Sequence, residues 1–191
     1  MSEYAVIVQN DESMWDDIKG DLYHYPNRYK SILTPGCRSI YYKGRKKSRK
    51  FANSRLSPDP HYFGICVIGE SILDPDSKKK DRYCEILNYQ EFQEGILAKQ
   101  NGEFLEPIPE SKKSNYWRCG VREISEATYR TIVSIANPLE HHIELPNLNG
   151  ELESTAPIEG KRVSRYSTYY ERNRYYRSKA IEIHGLSCMV C

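Results

Sequence analysis

The run Tyr62–Leu73, YFGICVIGESIL, constrains this chain more than any other stretch. It is apolar and rich in β-branched and aromatic residues, too short to cross a membrane as a helix and well suited to a buried strand. Gly64 and Gly69 interrupt it. Glycine inside a strand marks a bulge, a bend at a barrel corner, or close approach of a ligand. A chain with one such strand must supply others to pair with it. Tyr4–Val8, Arg38–Lys43, Tyr83–Leu87 and Tyr116–Val121 are the expected partners, with Asp74–Lys80 as the loop returning from the long strand. Pro26 predicts a short helix over Asn27–Leu33, ended by Pro35-Gly36. Ser125 predicts the cap of a helix reaching Ala136, with Tyr129, Ile132 and Val133 on its apolar side. Residues 51–60 and 98–114 read as loops.

These elements predict one α+β unit over residues 1–137, a small, partly open β-barrel with flanking helices. Residues 138–160, broken by Pro138, Pro146 and Pro157, read as a linker. Ser164–Ile183 then reads as an Arg- and Tyr-rich helix stopped at Gly185. At 191 residues the chain is long enough for one good core.

The formal charge is only +2, but it is segregated. Residues 43–50 carry Lys43, Arg45, Lys46, Lys47, Arg49 and Lys50 with no acid, and residues 161–179 carry seven cations against Glu171 alone. Such runs either follow a phosphate backbone or are solvated faces, and salt dependence separates the two. Tyrosine outnumbers phenylalanine 16 to 4, and tyrosine suits a wet binding surface because its flat face ends in a polar tip. No apolar run has membrane length and no signal pattern opens the chain, so a cytoplasmic setting with reduced cysteines and no membrane partner is expected. No Ser-His-Asp, P-loop or G-x-G-x-x-G arrangement is present in residues 1–137, which argues against hydrolase or nucleotide-cofactor chemistry there.

Between Trp15 and Tyr42, aromatics interleave with cations, the composition of a surface that stacks bases and neutralises phosphates. The candidate base-pocket residues are Trp15, Tyr23, His24, Tyr25, Tyr41, Tyr42, Phe63, Gly64 and Trp117. Candidate phosphate ligands are Arg28, Lys30, Lys43, Arg45, Lys46 and Lys47. Each has a second reading. Trp15 and Trp117 serve equally as core anchors, His24 as a hydrogen-bonded structural residue, and Tyr41 and Tyr42, adjacent in a strand, face opposite sides.

The final segment, YYERNRYYRSKAIEIHGLSCMVC, resembles the opening of the HNH nuclease module, a ββα-metal fold. The resemblance implies that Cys188 and Cys191 form half of a structural zinc site. It stops before the second zinc pair and before the His-His segment that would use a divalent cation, so the sequence reads as a nuclease cut at the start of its cleavage module, inactive by itself. A homodimer through that module is a further expectation. Ahead of it, YAVIV, Trp15, the segment Gly20–Tyr29 with its YHYP, IYY, YFGICVIGE and Trp117–Ser125 together resemble the EVE domain, a YTH-related branch of the PUA superfamily. That resemblance implies a reader of modified DNA, with 5-methyl- or 5-hydroxymethylcytosine flipped into an aromatic pocket within a modification-dependent restriction endonuclease. The alternative it leaves open is an RNA or modified-RNA binding module without a nuclease role.

Overall fold

Side chains that alternate along the strands sort onto two faces, and the two faces build two different cores. The structure is a computed structural model that describes residues 2–46, 48–136, 183 and 185. Its main sheet comprises β1 (Tyr4–Val8), β2 (Leu22–Tyr25), β3 (Arg38–Lys43), β4 (His61–Leu73), β5 (Arg82–Leu97) and, beyond the small hairpin β6 (Lys99–Gln100)–β7 (Glu103–Phe104), β8 (Val121–Glu123). The strand order is β2-β5-β4-β3-β1-β8. Only the β1–β3 pair is parallel, and the excursion between them contains β2.

One face of every strand in this sheet feeds a single cluster. Ala5 and Ile7 from β1, Tyr23 and Tyr25 from β2, Tyr41 from β3, Phe63, Cys66 and Ile68 from β4, Cys84 and Ile86 from β5 and Val121 from β8 are buried together. Six strands can share one small cluster only if the sheet curls around it, so the architecture is a partly open barrel. The long partners β4 and β5 shift register at three points along β4, the bulges a strongly bent sheet requires. At one of these Gly64 is obligatory. A Cβ there would lie 2.7 Å from the Gln90 carbonyl and 2.9 Å from the Tyr89 ring.

The outer face carries Val6, Ile40, Tyr42, Tyr62, Phe92 and Ile96, and α1 (Glu126–Ala136) covers part of it with Tyr129 and Ile132. Ser125 caps α1 by accepting the Thr128 N–H at 3.2 Å. Full burial of a side chain such as Ile132 contributes about 1.5–3 kcal/mol.

Several expected elements take a different form. The helix expected over Asn27–Leu33 is a 3-10 turn at Asn27–Tyr29 followed by turns, because the Tyr29 carbonyl collects both the Ile32 and Leu33 N–H groups. The returning strand runs from Arg82 to Leu97, ten residues past Leu87. The 51–60 connection begins inside a 3-10 helix, Arg49–Ser54, and the 98–114 loop contains the β6–β7 hairpin. The strand expected at Tyr116–Val121 is a 3-10 turn at Tyr116–Arg118 with β8 beginning at Val121. The linker over 138–160 and the segment from 161, apart from residues 183 and 185, lie outside the described residues.

Candidate functional site

The barrel is open between β2 and β8, its two edge strands, and side chains rather than a backbone ladder bridge the gap. The Tyr23 hydroxyl, on β2, donates to the Gly120 carbonyl at 3.0 Å and lies 3.3 Å from the Val8 carbonyl. The Tyr29 hydroxyl accepts the Gly120 N–H at 3.2 Å. Burial pushes the Tyr23 hydroxyl well above its ordinary value, so it stays a neutral donor. Above this seam lies a cavity of about 370 Å³. Trp15 and Trp117 line it, Tyr23, His24 and Tyr29 contribute from the β2 side, and Arg28 and Arg118, both exposed, line it as well.

Trp15 is held by its neighbours on the loop after β1. Its backbone N–H donates to Ser13 Oγ at 3.0 Å, and its ring meets the His24 ring edge-on at 4.9 Å. His24 stacks on Tyr83 at 4.1 Å. The next two residues of the loop clasp His24. The Asp16 N–H donates to His24 Nδ1 at 3.3 Å, and the His24 N–H donates to Asp17 Oδ1 at 2.8 Å. An Nδ1 that accepts carries no proton, so the imidazole proton is on Nε2, which faces buried Asp74 at 3.3 Å. Burial pushes the Asp17 carboxyl up to about 7, against hydrogen bonds from the His24 N–H and Ser13 that favour the charged form, while the charge of Asp16 adds to the rise.

Trp117 is held from below by a buried ion pair. Arg122 donates to Glu106 through Nε and Nη2, both at 2.7 Å, and the Tyr62 and Tyr116 hydroxyls donate to the same carboxylate at 2.8 Å. The Glu106 side chain is fully buried and that of Arg122 nearly so. The guanidinium lies 4.5 Å from the Tyr42 ring centre and 5.1 Å from that of Trp117. Trp117 in turn stacks on Tyr42 at 5.6 Å and rests against Phe104 at 4.9 Å. This network fixes the turn Tyr116–Arg118 and with it both cavity residues of that turn.

The cations divide into exposed and committed groups. Arg28 lies flat over Tyr29, 4.7 Å from its centre, with Nη2 donating to the Tyr29 hydroxyl at 3.0 Å. Lys30 and Arg45 are exposed and Lys46 is half-buried. Lys43 is committed to Asp11 at 3.0 Å. Asp11 also takes the buried Arg55 guanidinium, which reaches the Gly44 and Ser57 carbonyls as well. Burial raises the Asp11 carboxyl, but the hydrogen bonds and charges of Lys43 and Arg55 outweigh it and hold it below its ordinary value. Asn10, at the cavity, accepts the Gly44 N–H at 3.1 Å, so the basic loop is pinned to the loop bearing Trp15. Lys47 lies outside the described residues.

The structure brings Trp15, Tyr23, His24 and Trp117 to one cavity with Arg28. It places Tyr25, Tyr41 and Phe63 inside the barrel, where Tyr41 packs against Phe63 and Tyr89. Tyr42 is on the outer face beneath Trp117, and the side of Gly64 that a ligand would approach is filled by Tyr89. Sequence reasoning missed Ser13, Tyr29 and Arg118 as lining residues. The signal was local: Tyr29 follows Arg28 by one residue, and Arg118 follows Trp117. Cys188 and Cys191 lie outside the described residues, and among those described no His, Cys, Asp or Glu side chains group to hold a metal ion. Cys37, Cys66 and Cys84 are buried, and burial pushes all three thiols upward, Cys37 to about 11. No helix among the described residues is long and apolar enough to cross a membrane.

No family model and no curated protein matches this chain. Among solved structures it is similar to the N-terminal domain of Staphylothermus marinus McrB, at 13% sequence identity and a TM-score of 0.44, over 70% of this chain and 94% of that one.

Proposed function

We propose that residues 2–136 read a modified base in nucleic acid by taking it into the seam cavity between Trp15 and Trp117. The observation that carries this reading is the convergence of two tryptophans and two exposed arginines on one cavity with a polar floor. Stacking on an aromatic side chain is worth about 1–3 kcal/mol per base. Extrusion from a duplex costs a few kcal/mol. Two walls and a few edge hydrogen bonds therefore offset extrusion. The Asn10 amide nitrogen and the Ser13 hydroxyl supply polar groups for the base edge. Arg28 and Arg118 would hold the flanking phosphates, with Lys30, Arg45 and Lys46 extending the track.

The substrate we favour is duplex DNA with 5-methyl- or 5-hydroxymethylcytosine. One methyl group in a fitted pocket discriminates by about 10–200-fold, so a cavity of this kind can separate the marked base from cytosine. The nuclease context rests on residues 161–191 alone. There Cys188 and Cys191 would supply two thiolates of a structural zinc site.

The test is binding of the 191-residue chain to one duplex with cytosine, 5-methylcytosine, 5-hydroxymethylcytosine or N6-methyladenine at a single position, at fixed salt, beside matched RNA. A preference of about tenfold or more for a modified cytosine is expected. Equal, salt-sensitive binding to all four duplexes would overturn base reading, and tighter binding to RNA would overturn the choice of DNA.

A further inference from the structure

Met14 is the most exposed large apolar side chain among the described residues, at 88%. It stands between Ser13 and Trp15, both of which line the cavity. Single exposed apolar side chains are common, and this one is set apart by its place beside the cavity, in a loop whose neighbours Asp11, Glu12, Asp16 and Asp17 are acidic.

The backbone that displays Met14 is braced on both sides. Before it, Asp11 is clamped by Lys43 and Arg55, and Glu12 pairs with Lys50 at 2.8 Å. After it, the Trp15 N–H is tied to Ser13 Oγ and the Asp16 N–H to His24. The clamps on Asp11 and Glu12 come from Lys43, Lys50 and Arg55, at the two ends of the basic segment and just beyond it, and Gly44 of the same segment binds Asn10. Nucleic acid drawn to Arg45 and Lys46 is thereby brought to the loop that carries Met14.

A base that leaves a duplex leaves a gap one base step high, bounded above and below by aromatic faces. The group that fills it must be apolar, thin and adaptable. Methionine meets those requirements, since it is unbranched and its thioether sulfur packs well on π-systems. We propose that Met14 is the wedge that occupies the stack when the target base moves into the seam cavity, an inference that rests on the base-reading function above. Its role is specific to duplexes, because a single strand leaves no gap between paired neighbours.

The test compares the full chain with its Met14→Ala and Met14→Leu variants, on a 5-methylcytosine duplex, the unmodified duplex and the same modified strand alone. Met14 is exposed, so the variants should unfold at the temperature of the wild type. Met14→Ala is expected to weaken modified-duplex binding by about tenfold or more, because the stack is left unfilled, while single-strand binding stays within about twofold. Met14→Leu, apolar but branched, should lose less than Met14→Ala. Unchanged duplex binding by Met14→Ala, or equal losses on duplex and single strand, would overturn the wedge. Failure of the base-reading function shows separately, as wild-type protein that does not distinguish modified from unmodified duplex.

Discussion

Tyr23 and Gly120 meet across the open side of the barrel, hydroxyl to carbonyl at 3.0 Å. Tyr23 lies on β2 and Gly120 just before β8, edge strands that share no ladder, so this bond and its neighbour from Tyr29 set the width of the seam. Tyr23→Phe keeps the ring and removes the donor. The Gly120 carbonyl still accepts the Val8 N–H at 2.9 Å, so that carbonyl keeps a donor. We expect a loss of about 0.5–1.5 kcal/mol in denaturant unfolding. We also expect weaker discrimination between modified and unmodified base. A stability loss with discrimination intact would mean that the seam does not set the cavity.

Glu106 and Arg122 place Trp117 from within the core. Glu106→Ala leaves a guanidinium buried without its carboxylate, which costs about 3–5 kcal/mol. The double change Glu106→Leu with Arg122→Met removes both charges and should recover part of that stability, since the Tyr62 and Tyr116 hydroxyls still lose their acceptor. In a Trp15→Phe background the remaining tryptophan emission reports Trp117 alone. It should shift to the red in Glu106→Ala. An unshifted spectrum would place the control of Trp117 elsewhere.

Two carboxyls give opposite pH signatures. The Asp17 carboxyl is raised from 3.8 to about 7, so between those values the folded chain holds a proton that the unfolded chain has released. Stability therefore falls as pH rises through that window. Asp17→Asn keeps an acceptor for the His24 N–H and should be more stable than wild type above pH 7. We expect a gain of roughly 1–2 kcal/mol, less than the full linkage value because the group is partly solvated. The gain should vanish below pH 4. Asp11 is depressed, so its contribution is present above 3.8 and is lost as pH falls through its folded value. Urea midpoints of wild type and Asp17→Asn from pH 3 to 8 check the first signature directly. A difference independent of pH would contradict it.

Arg28 and Lys43 separate phosphate binding from structure. Arg28 is exposed at the cavity, whereas the ammonium of Lys43 is committed to Asp11. Arg28→Ala should lower the slope of log binding constant against log salt by about 1. Lys43→Ala should leave that slope alone and lower stability. The reverse pattern would mean that the phosphate track does not run past the cavity.

The sequence carried the strands whose apolar runs are continuous. Tyr4–Val8 and Arg38–Lys43 are found as expected, and the long strand begins one residue early, at His61. It hid the far half of β5, because Asn88–Gly95 buries only Phe92 and reads as polar. It hid the turn at Tyr116–Arg118 for a related reason. That turn is fixed by Glu106 and Arg122, two charged residues that a pattern of hydrophobicity assigns to the surface. Aromatic content pointed to the region that carries the cavity but could not separate the residues that line it from those of the core. Tyr25, Tyr41 and Phe63 differ from Trp15 and Trp117 not in chemistry but in the curl of the sheet, and that depends on bulges between β4 and β5. Local spacing says little about which face a bulged strand turns inward.

The most direct measurement is the ratio of affinities for modified and unmodified duplex, in wild type and in Trp15→Ala. Trp15 is half-buried on a loop outside the core clusters, so its removal tests the cavity with little effect on the fold. We expect wild type to prefer a modified cytosine by about tenfold or more. Trp15→Ala should bring that ratio to about one while leaving the salt slope of binding unchanged. A preference that survives in Trp15→Ala, or its absence in wild type, would contradict the claim that a base is read in the seam.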